Sequence, residues 1–171
     1  MLAEILTITI PPLLVLLTAY LVIDKMLKRD AENRKLEVSL KNQSIITPIR
    51  LQAYERVVLL LERISPNHLV MRIQQPGMTV NELQREMLVN IRAEFEHNLS
   101  QQLYLRPETW DIVKIAKENT IKLINTCAAG LDPSDEAMVL TKSIFDKLIE
   151  LTKAPNQVAL DTIKKEINEL F

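Results

Sequence analysis

Cysteine occurs once, at Cys127, glycine only twice in 171 residues, and aromatics make up 4% of the chain. A lone cysteine excludes an intrachain disulfide framework and suits a reducing compartment. Scarce glycines and aromatics remove the turn and strand formers that a sheet needs, so the abundant Leu, Ile, Glu, Lys and Gln point to helices. A strong excess of charge of either sign is missing as well. Residues 42–171 carry 15 Lys and Arg against 17 Asp and Glu, a net of −2, which leaves no basic field for nucleic acid. There is no Walker loop, dinucleotide glycine fingerprint, GxSxG elbow, HExxH or CxxC. The two histidines, His68 and His97, give metal and acid–base chemistry little to work with. The chain is therefore not read as an enzyme, and no cofactor, metal or small-molecule substrate is expected.

What is present begins with an apolar, uncharged run from Ile5 to Ile23, followed at once by Asp24-Lys25-Met26-Leu27-Lys28-Arg29. At 1.5 Å per residue the run reaches about 28 Å, which predicts a single-pass transmembrane helix within residues 1–23 that meets the lipid bilayer through 5–23. Glu4 is the only charge before it, whereas Lys25, Lys28, Arg29, Arg34, Lys35 and Lys41 follow it. That asymmetry predicts an inner-membrane protein with its N-terminus outside and the rest cytoplasmic. A cleaved signal would want a basic n-region and a small-x-small site, and Thr18-Ala19-Tyr20-Leu21 offers none. Pro11-Pro12 falls inside the run. It either starts the regular helix or kinks the span, because proline removes a helical donor.

Residues 24–46 read as a charged juxtamembrane helix or linker, and 47–171 as a soluble helical domain. Thr47-Pro48 marks a helix start, with Ile49, Ala53, Val57, Leu60 and Ile64 on one face and Tyr54, Val58 and Leu61 beside it. Ser65-Pro66-Asn67 opens a short turn through Ile73, which Gln74-Gln75-Pro76-Gly77 ends. Thr79-Val80-Asn81-Glu82 fits a capping box. The next helix spaces Leu83, Met87, Ile91, Phe95, Leu99 and Leu103 four apart. Further starts follow at Arg106-Pro107, Asp132-Pro133 and Pro155. The expected fold class is all-α: the transmembrane helix, then a largely antiparallel five-helix bundle with one extra short turn.

Between Gln43 and Arg106 every basic residue is arginine, and from Pro107 onward every one is lysine. Guanidinium groups make bidentate, partly buried pairs that ammonium groups do not. Arg50, Arg56 and Arg63, with Glu55 and Glu62, are therefore the candidate polar or partner surface. Glu94-x-x-His97 is half of a di-iron motif, but the second half is absent and Ile91 and Phe95 define the buried face. Cys127, near a helix C-terminus on an apolar face, reads as buried and inert. Trp110 reads as a packing anchor.

The strings Leu51-Gln52-Ala53-Tyr54-Glu55-Arg56 and Glu94 to Tyr104, taken with the N-terminal run, resemble a group of small, uncharacterised, membrane-anchored proteins of Bacteroidota-type bacteria. The resemblance implies an inner-membrane setting and carries no functional residue. Two functions remain. One is a membrane-anchored interaction or scaffold module that holds a cytoplasmic partner, or its own copies, at the membrane. The other is a membrane-proximal enzyme or regulatory domain using bundle carboxylates such as Glu55, Glu62 and Glu94. A polar-lined pocket holding two of those three would favour the second, and a filled core with an exposed apolar groove the first.

Overall fold

A computed structural model describes the backbone of residues 2–170 and the side chains of residues 13–170. Among the described residues the chain is all-α, with six α-helices and no strand. They are α1 (Leu2–Arg63), α2 (Pro66–Ile73), α3 (Val80–His97), α4 (Pro107–Ala128), α5 (Ala137–Glu150) and α6 (Gln157–Leu170), with a 3-10 turn at Leu99–Leu103 between α3 and α4. Two compact units emerge, residues 1–48 and residues 49–171.

Among the described residues no helix is long and apolar enough to cross a membrane. This corrects the expected transmembrane helix, and the single-pass, inner-membrane assignment with the N-terminus outside falls with it. The part of the expected span whose side chains are described, Leu13 to Ile23, supplies about 16 Å of helix, roughly half of a hydrocarbon core. The side chains of 5–12, on which the rest of that expectation and the Pro11-Pro12 question depend, lie outside those described.

The first unit belongs to α1 alone, and almost every side chain from Leu13 to Ile46 is exposed. A helix without tertiary packing needs local support. Asp24 supplies some by pairing with Lys28 one turn on, at 2.8 Å. Asp30 to Arg34 and Glu37 to Lys41 repeat the same acid-then-base spacing, the favourable orientation on a helix. Thr47-Pro48 does not start a helix here, because α1 runs through it without a break. Pro48 costs one backbone donor in mid-helix.

The second unit encloses the core. Ala53, Tyr54, Val57, Leu60 and Leu61 from the end of α1 are buried, as are Ile64 just after it and Leu83, Met87, Ile91 and Phe95 of α3. Trp110, Val113, Ala116, Thr120, Leu123 and Cys127 give α4 its inward face, and Leu140, Ile144, Leu160 and Ile163 complete the cluster. Leu99 and Leu103, expected on the stripe of α3, are exposed at 44% and 78%. The α-helix stops at His97, where the Asn98 amide donates to Glu94 O at 2.9 Å and competes with the backbone ladder. The 3-10 turn that follows changes the angular step, so a spacing of four no longer stays on one face.

Short connections fix the helix starts. Gly77 has φ +83° after Pro76, the backbone of a tight turn that needs a glycine. The capping box at Thr79 and Glu82 is present. Val80 N–H donates to Asp135 O and Ala137 N–H to Met78 O, both at 2.9 Å, so the beginnings of α3 and α5 are stitched together. That stitch holds Glu136 extended, and α5 begins at Ala137 instead of Pro133.

Candidate functional site

The five candidate surface residues separate into three places. Glu55, Arg56 and Arg63 share one wall of a groove of about 620 Å³ between α1 and α3, and Asn90, Glu94 and His97 stand on the other. Helical spacing explains the grouping: Gln52, Glu55, Arg56, Leu59 and Arg63 recur at three and four along the face of α1 that is not buried. Arg63 Nε donates to Glu94 Oε1 at 2.7 Å, and a second guanidinium nitrogen lies 2.5 Å from the same oxygen. Arg72 of α2 approaches that oxygen more loosely, at 3.9 Å. Glu62 turns the other way, with its carboxylate 3.7 Å from His68 Nδ1. Arg50 lies about 20 Å before Arg63 along α1, where its Nε donates to Tyr104 O at 3.2 Å.

Glu55 and Glu94 thus share a polar-lined groove, the arrangement set out above as favouring carboxylate chemistry. Glu94 is nevertheless engaged by the Arg63 guanidinium, with that of Arg72 nearby. His97 also lines this groove, but among the described residues no three His, Cys, Asp or Glu side chains gather to hold a metal ion. Cys127 is buried, its thiol faces Ser143 O at 3.7 Å, and burial pushes its pKa up, away from the reactive thiolate.

A second polar cluster was not foreseen. Glu166 of α6 is 3% exposed. Its Oε1 accepts from the Tyr54 hydroxyl at 2.5 Å and from the Arg106 backbone N–H at 3.3 Å. Its Oε2 accepts from the Thr109 hydroxyl. Arg106 Nε lies 3.6 Å from Oε1 and reaches Glu169 with another nitrogen at 3.0 Å. The carboxylate thereby caps the N-terminus of α4 from a different helix and meets the positive end of its dipole. Burial, then the bond to Glu166, pushes the Tyr54 hydroxyl pKa up to about 12. Every partner of Glu166 donates, and among the described residues no buried side-chain polar atom lacks a partner. A buried carboxylate with these partners joins α6 to α1 and to the start of α4. The available signal was its position three after Ile163 and four before Leu170, inside the inward stripe of α6.

Trp110 stacks on Phe95 with ring centroids 5.4 Å apart, and Lys117 Nζ sits 4.5 Å above the Phe95 ring. These contacts make Trp110 an anchor between α3 and α4.

An all-α body with an arginine-bridged groove and a buried capping carboxylate is the class that the fold and its polar sites define. The chain matches a family of unknown function (DUF7935) over residues 1–170 and belongs to that family. No curated protein and no solved structure matches it.

Proposed function

We propose that this protein is a helical interaction module, in which the outer half of α1 binds a protein partner or other copies of the chain. The observation that carries this reading is the exposure of large apolar side chains on that helix: Leu27 at 64%, Leu36 at 59%, Val38 at 59% and Leu40 at 57%. Isolated helices gain little from propensity alone and draw their stability from an apolar face that packs on something. The body has a filled core, whereas the described outer half of α1 exposes large apolar side chains along its length and buries none. The resemblance to proteins of Bacteroidota-type bacteria is kept as a proposal about the chain's relatives, supported by the two helix-forming strings quoted above.

A second reading, an enzyme or regulatory domain using carboxylates, is favoured by one observation, the presence of Glu55 and Glu94 in one groove. The engagement of Glu94 by Arg63 weighs against it.

The test is a photo-reactive residue at Val38 of the full chain, activated in cells. Covalent adducts to a polypeptide, either another protein or a second copy, are expected. Recovery of the chain free of any adduct overturns the module reading. Loss of a measured activity on Glu55→Gln with unchanged adducts would favour the carboxylate reading.

A further inference from the structure

We infer that the outer half of α1 pairs antiparallel with the same segment of a second copy of the chain. This rests on the module reading above and names its occupant. Positions 20, 24, 27, 31, 34, 38, 41 and 45 alternate by four and three, the spacing that keeps one seam facing a partner helix. The apolar members stand in the open, with Tyr20 at 68%, Leu27 at 64%, Val38 at 59% and Ile45 at 55% exposed.

The seam complements its own reverse. Laid antiparallel about its midpoint, Tyr20 faces Ile45 of the second copy and Leu27 faces Val38. Asp24 faces Lys41, an opposite charge. Ala31 faces Arg34, where a small side chain leaves room for a long one. A parallel, in-register pair would instead set Asp24 against Asp24, Arg34 against Arg34 and Lys41 against Lys41, like charges that disfavour it. Along the flanks the antiparallel pair brings Lys28 toward Lys35 and Asp30 toward Glu37. Each of these already has an opposite charge one turn away on its own helix, namely Asp24, Glu32, Arg34 and Lys41. Asp24 uses Oδ2 for Lys28, which leaves Oδ1 for Lys41 across the seam. The seam therefore decides orientation. Its span of about 37 Å buries on the order of 700 Å² per copy, near the size of a specific interface.

The experiment uses the full chain with paired cysteines, because Cys127 is buried and does not compete. Leu27→Cys combined with Val38→Cys is expected to give a disulfide-linked dimer on mild oxidation, and neither change alone should do so. Lys41→Asp should weaken dimerisation, read by sedimentation equilibrium, about tenfold, since symmetry removes two ion pairs. Asp24→Lys added to Lys41→Asp should restore it. A covalent dimer from Leu27→Cys alone, or charge reversal without effect, overturns the antiparallel pair. Val38 adducts only to a different polypeptide overturn the second copy as occupant and leave the module reading standing. No adduct at all overturns both.

Discussion

Glu166 occupies a position where an apolar side chain would be the default, and its environment tolerates only an acceptor. Tyr54, Thr109 and the Arg106 N–H all donate to it, so an amide in its place would turn a donor toward donors. Glu166→Gln is expected to cost about 2–4 kcal/mol in urea unfolding, the range for breaking a buried charged network. Tyr54 supplies the pH signature. Its folded pKa is pushed up to about 12 from the ordinary 10.0, so the folded state favours the protonated phenol. That stabilisation is complete below pH 10 and is lost as pH rises from 10 toward 12. It amounts at most to about 2–3 kcal/mol. Melting temperatures across pH 9 to 12 should therefore fall more steeply for the native chain than for Tyr54→Phe, and parallel curves would refute the assignment. None of this was legible in the sequence, because the three donors come from residues 54, 106 and 109. Only the inward register of position 166 was on view, and a charge at such a position also reads as a solvated flank.

Helix boundaries were legible where local chemistry decides them and illegible where tertiary contacts do. The capping box at Thr79 was readable because both of its partners lie within one turn. Thr79→Ala should cost about 1 kcal/mol, measured by thermal or urea unfolding, and Thr79→Ser should recover most of it. The Pro76-Gly77 turn was readable for the same reason: only the positive φ of Gly77 closes it. The start of α5 was not. Asp132-Pro133 has the form of a helix start, yet Asp132 spends its carboxylate on the backbone and hydroxyl of Ser134, and the stitch to Met78 holds Glu136 extended. Thr47-Pro48 fails in the opposite sense, since α1 continues through it. A proline marks a helix start only when the residues before it have no helical support of their own. Here Lys41 to Thr47 are already helical.

At the scale of the whole molecule, α1 carries two kinds of helix in one element. Its last turns share the core with Leu83, Ile91, Ile124 and Ile163, whereas residues 13–46 have backbone hydrogen bonds but almost no buried side chains. The apolar stretch was legible in the sequence, but it was read as a membrane span, and among the described residues no helix is long and apolar enough to cross. Amide exchange separates the two halves. Opening of the buried half requires loss of the core and should occur with the free energy of global unfolding. Opening of the outer half needs only local fraying and should be faster by several orders of magnitude in dilute solution. If a second copy covers residues 20–45, protection there should rise with protein concentration while protection at Tyr54 to Leu61 stays constant, since mass action stabilises only the surface that binds. Exchange in residues 20–45 that is fast at every concentration would leave that half of α1 uncovered by its own kind.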